Sequence, residues 1–207
     1  EGARRIGKST IAENFAQNEY KDYFIIDFAK ANKDIKNNFA ENIGNLDVFF
    51  RNLFLLMGKA LPEHEAVIIF DEVQLFPLAR QAIKYLVADG RYDYIETGSL
   101  ISIKKNVQDI LIPSEEYKLK MYPMDFEEFM IANNVSEMTL QMLKEKFETC
   151  QPVDEFIHQK LLSLFFIYLI VGGMPDAVKT YIATKDIREV DKVQRDIVTL
   201  YKEDFSQ

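Results

Sequence analysis

At 207 residues the chain is near the upper end of what one compact domain needs, so one domain plus an appendage is the expectation. Its 48% hydrophobic and 28% charged residues exclude a disordered or fibrous class and are enough to bury a full core. A net charge of −8 excludes non-specific binding to nucleic acid or anionic lipid over the whole surface, though not a local basic patch. Cys150 is the only cysteine, so no internal disulfide is possible and a reducing, cytoplasmic setting fits best. With no base at nucleophile-like spacing, its thiol reads as inert.

The chain opens on charged, glycine-rich sequence rather than the apolar run of a secretory signal. Residues 9–20 have helical spacing, with Ile11, Ala12, Phe15 and Ala16 on one side. Residues 23–28 form a compact, mostly apolar run, which predicts a buried strand. Residues 29–44 are polar and read as loop. From Leu46 through Phe49, Phe50, Leu53, Met57, Ala60 and Leu61 the apolar residues recur at three- and four-residue steps, an amphipathic helix.

Residues 67–70 are a second buried strand, ending in Asp71 and Glu72. Pro77 opens another helix where its missing N–H costs nothing, and Gly90 closes it. Residues 93–96 are a third strand, and residues 117–122 are a candidate fourth. Beyond them the pattern is helical: Asp125 and Glu128 have capping-box spacing, and Ser136 starts a further helix. The apolar run from Leu161 to Val171 is about half of the ~20 residues that a bilayer crossing needs. It reads as a buried helix stopped by Gly172 and Gly173. Strands alternating with helices predict a parallel sheet with crossover helices. The division expected is an α/β core over 1–122 and a helical portion over 123–207.

The most informative segment is Gly2-Ala3-Arg4-Arg5-Ile6-Gly7-Lys8-Ser9-Thr10, which matches G-x-x-x-x-G-K-[ST] at every fixed position and leads into a helix. Phosphate oxygens are bound there by backbone N–H groups, so the loop must wrap closely, and Gly2 and Gly7 supply the freedom. The helix N-terminus adds its unpaired donors and the positive end of its dipole. Lys8 would reach the β- and γ-phosphates, and the Ser9 hydroxyl would ligate magnesium. Thr10 is a neighbouring contact, and Arg4 and Arg5 either add positive charge or are exposed loop residues. A Gly-rich turn of the same spelling is the bland alternative.

The Val67–Glu72 segment, four apolar strand residues followed by two carboxylates, supplies the second element of an ATP site. Ligands collect at such strand ends in open parallel sheets. Asp71 would hold magnesium through its water shell, and Glu72 would orient or deprotonate the attacking water. A third element is Thr97-Gly98-Ser99. In ATPases of the additional-strand class a polar residue at such a strand end senses the γ-phosphate or the water, and Ser99 is favoured over Thr97.

Other residues carry less. His64 and His158 are far apart and no Cys/His cluster has zinc spacing. Lys104-Lys105 reads as a solvated pair, and residues 165–168 read as core rather than a stacking platform. Arg188 or Arg195 could serve as an arginine finger, though nothing local singles either out.

These residues together resemble a large prokaryotic group of AAA-superfamily ATPases that join an ATPase core to a C-terminal domain of unknown function. The phosphate loop, Phe70-Asp71-Glu72-Val73-Gln74, Thr97-Gly98-Ser99, Tyr122-Pro123-Met124-Asp125-Phe126-Glu127-Glu128-Phe129 and Gly172-Gly173-Met174-Pro175 follow in that family's order. Ala3 departs from the family's frequent proline. The resemblance implies a P-loop NTPase fold with a parallel sheet of the additional-strand type, ATP and magnesium as ligands, and hydrolysis. An attached C-terminal domain, a protein partner or a second copy would then be the partner, with neither nucleic acid nor membrane indicated. A phosphate loop is ordinarily preceded by a buried strand, so the reading expects one upstream of Glu1 and further chain beyond Gln207. The leading reading is an ATPase that drives conformational change in an attached domain. A nucleotide-gated interaction module with little turnover is the alternative. A P-loop kinase is disfavoured because residues 100–122 lack the arginines of a phosphate lid.

Overall fold

The computed structural model describes residues 1–98 and 116–206. The chain divides into two compact units, Glu1–Ala3 with Gly7–Met121 and Arg4–Ile6 with Tyr122–Gln207.

The first unit is built on three parallel strands, β1 (Asp22–Asp27), β2 (Ala66–Asp71) and β3 (Asp93–Glu96), in the order β1-β2-β3. Tyr23 stands opposite Val67 and Asp27 opposite Asp71, while Val67 pairs with Asp93 and Phe70 with Glu96. Helices α1 (Lys8–Glu19), α2 (Lys33–Asn42), α3 (Leu46–Met57) and α4 (Pro77–Asp89) complete it. All six positions of β2 are buried, because both of its faces are covered. On one face Val67 and Ile69 meet Ala12 and Ala16 of α1, where small side chains let the helix approach closely. On the other, Phe24, Ile26, Ile68 and Phe70 join Phe39, Phe49, Leu53, Ile83 and Leu86 in the main core. Phe28 touches Phe39, Phe70 and Phe76 there, its centroid 5.3–5.8 Å from theirs. Each such ring, fully buried, contributes about 1.5–3 kcal/mol from area alone. Pro77 and Gly90, the latter at φ 76°, bound α4 as expected.

Three expectations in this unit fail. The helix read from Leu46 to Leu61 ends at Met57, where Gly58 takes the left-handed conformation at φ 75°, so Ala60 and Leu61 lie outside it. Residues 33–42, read as loop, are α2. The Asn32 side chain caps it by accepting from the Ile35 N–H at 2.9 Å, and only Ile35 and Phe39 form its buried apolar seam. Two large apolar residues in ten leave a weak periodicity, and packing on the aromatic core supplies what propensity does not. Residues 117–122 form no strand. Met121 makes one isolated parallel bridge to Gly2, while Tyr117, Leu119 and Tyr122 are exposed. Among the described residues β3 pairs only with β2.

The second unit is helical: α5 (Phe126–Ala132), α6 (Glu137–Glu148), α7 (Glu155–Val171), α8 (Pro175–Thr184) and α9 (Ile187–Ser206). Asp125 and Glu128 close a full capping box on α5, both bonds at 2.9 Å, and Ser136 caps α6. The core is small: Phe129, Val171, Ala177, Val178 and Val190, with Leu164, Ile167, Tyr168 and Tyr181 partly buried against it. Gly172 ends α7 at φ 71°, and Gly173 lies against the Met124 backbone. The Met124 N–H donates to the Gly173 carbonyl at 2.8 Å, and the Tyr168 hydroxyl donates to the Met124 carbonyl at 2.9 Å. A Cβ on Gly173 would stand 2.0 Å from that carbonyl oxygen, so only glycine fits without moving backbone.

The apolar run over 161–171 is helical, but it is not buried as expected. Within α7 only Val171 is fully buried, while Phe166 and Leu169 are 57% and 62% exposed. Residues 165–168 are likewise only partly core. From Leu161 on, α7 is apolar around nearly its whole circumference, and the described residues of this small unit bury one side of it.

Candidate nucleotide-binding site

The site begins where β2 ends. Asp71, nearly buried, presents Oδ1 to two hydroxyls: Ser9 Oγ donates to it at 2.7 Å, and Thr97 Oγ1 donates to it from the end of β3. Parallel pairing makes this convergence possible, because Phe70 and Glu96 are in register and the next residues, Asp71 and Thr97, therefore lie side by side. The Thr97 N–H donates to the Phe70 carbonyl at 2.9 Å, and the Val73 N–H donates to the Thr97 carbonyl at 3.1 Å, which fixes that register.

Gly7 precedes α1 at φ 89°, a left-handed backbone that favours glycine, and no side chain caps the helix or places an acid in its first turn. The first-turn donors of α1 thus have no side-chain cap among the described residues, the arrangement that a phosphate-binding helix uses. Lys8 is buried at 8% exposure, and its Nζ donates to the Ala3 carbonyl at 2.7 Å and the Gly2 carbonyl at 3.3 Å. The loop therefore curls around the lysine that the motif places at its end. Thr10 is exposed on α1.

Arg4, Arg5 and Ile6 are grouped with the helical unit. There the Tyr201 hydroxyl donates to the Arg4 carbonyl at 2.8 Å, the Arg5 guanidinium stands 3.5 Å from Asp176, and Ile6 is buried. Ser99 lies outside the described residues. Arg188 and Arg195 pair with acids close by on the chain, Asp186 at 2.9 Å and Asp191 at 2.8 Å.

Glu72 follows Asp71 in the left-handed region at φ 53°, and its carboxylate accepts from the Gln74 side-chain amide. Thr97 and Gln74 are functional candidates that the motifs do not single out. The signal for Gln74 is an uncharged polar residue two places after the carboxylate pair, between apolar Val73 and Leu75. A third residue the motifs did not reach is Arg80 of α4, whose buried guanidinium holds Glu116 through two bonds at 3.0 and 3.1 Å. Beside it, burial pushes the Glu96 carboxyl up to about 7, opposed by the charges of Arg80 and Lys118 and reinforced by that of Glu116.

The donors around Asp71 are hydroxyl and carboxylate oxygens, the set that suits a hard cation such as magnesium, which completes its shell with phosphate oxygens and water. Among the described residues no three His, Cys, Asp or Glu side chains cluster as a dedicated metal cage would need. The sequence model of a family described as "AAA domain" matches residues 1–130. The chain belongs to that family. Membership makes it a nucleotide-binding, ATPase-like chain, of a kind whose nucleotide usually comes with magnesium. None of the curated proteins matches it closely enough to count as a relative. Among the described residues of this AAA chain, no helix is long and apolar enough to cross a membrane.

Proposed function

We propose that the chain is a magnesium-dependent ATPase in which hydrolysis drives conformational change in an attached domain. The observation that carries the reading is the meeting of Ser9, Thr97 and Asp71 at one carboxylate oxygen, with Glu72 as the next residue. Ser9 and Asp71 would hold magnesium, which when bound neutralises charge on the phosphates. Gly2, Ala3, Arg4, Arg5, Ile6, Gly7 and Thr10 complete the binding loop through backbone and side-chain donors. Lys8 adds a full positive charge at the phosphates, stronger in a nearly buried site than in water. Glu72 orients the water and accepts its proton as the oxygen attacks the γ-phosphorus, while the bond from that phosphorus to the β–γ bridging oxygen breaks and ADP leaves. Thr97 reports on that end of the sheet, and Ser99, the next hydroxyl in the sequence, would sense the γ-phosphate or the water.

Replacing Glu72 by Gln tests the reading in the full-length protein. The amide keeps the shape and cannot take a proton, so ATP affinity should hold while turnover falls on the order of 10²-fold or more. Equal, very low turnover in both forms would instead favour the nucleotide-gated module, and brisk turnover without Glu72 would remove it from the chemistry.

A further inference from the structure

Gln74 is a buried polar residue that the chemistry above leaves without a role. It sits in the 3-10 turn Val73–Leu75 directly after Glu72 and is 4% exposed. Its Nε2 donates to Glu72 Oε2, while its Oε1 is buried with no hydrogen-bond partner among the described residues. An acceptor left unpaired in the interior is destabilising, and an apolar side chain of similar volume would avoid that penalty. A residue present only to fill the space would therefore not be expected to be glutamine. The amide's one bond goes to the carboxylate, which can only accept when ionised, so the NH2 end must face it.

The backbone around Glu72 is equally constrained. Its φ and ψ of 53° and 44° are unfavourable for a residue with a Cβ. The Glu72 carbonyl accepts from the Leu75 N–H at 3.0 Å, and the Val73 N–H is tied to Thr97. The main chain thus fixes where the Glu72 side chain starts, and three rotatable bonds remain between that point and its carboxylate. Gln74 is the group that removes this freedom.

We infer that Gln74 is a positioning residue for Glu72, holding the carboxylate in one orientation ahead of the reaction. The inference rests on the reading of Glu72 as the group that handles the attacking water. Orienting a base beforehand removes a cost otherwise met in the transition state, and small misplacements are expensive in rate. Gln74 touches neither water nor phosphate in this account and acts only through Glu72.

The test uses the full-length protein, ATP turnover, affinity for a non-hydrolysable ATP analogue, and thermal unfolding. Gln74→Met fills the space without a donor, and Gln74→Asn keeps the amide but is one methylene short. Both should lower kcat about 10-fold or more with analogue affinity held close to that of the parent, and Gln74→Met should do so with Tm equal to or above the parent's. Introduced into the Glu72→Gln background, neither should lower kcat further. Parent-like kcat in both variants, or the same loss with and without Glu72, would overturn the positioning role. A Glu72→Gln protein with parental turnover would overturn the reading of Glu72 itself, and the inference with it. The two failures are distinguished by which single variant is silent.

Discussion

Every position of β2 is buried, whereas α7, the most apolar helix of the other unit, buries only Val171 completely. The two segments are similarly apolar in sequence. The difference lies in what covers them: α1 on one face and α2, α3 and α4 on the other for the strand, one side of a small helical unit for α7. Apolarity measures the demand for burial, and the neighbours decide whether it is met. The units also differ in how they use close approach. In the α/β unit the tight places hold the groups proposed to act: Lys8 curled into its loop, two hydroxyls on Asp71 and Gln74 on Glu72. In the helical unit the tightest place is Gly173 on the Met124 backbone, which carries no chemistry.

The sharpest way to break this comparison is Lys8→Ala. If the α/β unit owns the nucleotide, losing that charge should weaken binding of an ATP analogue roughly 10²-fold or more, about 3 kcal/mol. Unchanged affinity in a calorimetric titration would remove the phosphate-loop assignment. Next in size is Gly173→Ala, which should destabilise the helical unit by about 1–3 kcal/mol, because the added carbon must push Met124 backbone aside. Chemical denaturation followed by helix signal reads this directly. Stability equal to the parent would mean that the approach is looser than described.

The smallest effect concerns Glu96, whose folded pKa of about 7 lies above an ordinary 4.5. A raised carboxyl is stabilising to the fold only while protonated. Its contribution is therefore full below about pH 4.5 and is lost as pH rises through 7, at a slope of at most about 1.4 kcal/mol per pH unit. Glu96→Gln should flatten the fall in Tm between pH 5 and pH 8. An unchanged profile would mean that Arg80 and Lys118 compensate the carboxylate fully.

Much of the candidate site's arrangement could be read without coordinates because the chemistry proposed for it is local in sequence. Glycine spacing, the lysine and hydroxyl at a helix start, and carboxylates at a strand end are each fixed by what phosphate and magnesium require, so they survive as short words. Pro77, Gly90, Asp125 with Glu128, and Ser136 were legible for the same reason, since turn and cap chemistry acts over three or four residues. What the sequence could not decide were matters of partnership between distant segments. α2 forms because Ile35 and Phe39 find an aromatic core, residues 117–122 reduce to one bridge with Gly2, and α7 keeps an uncovered face. Thr97 reaches Asp71 only through the register of β2 and β3. The segments around Met124 and Gly173 look like separate signatures in the sequence. In the fold they are one backbone contact, and its need for glycine comes from a neighbour some fifty residues away that no local pattern encodes.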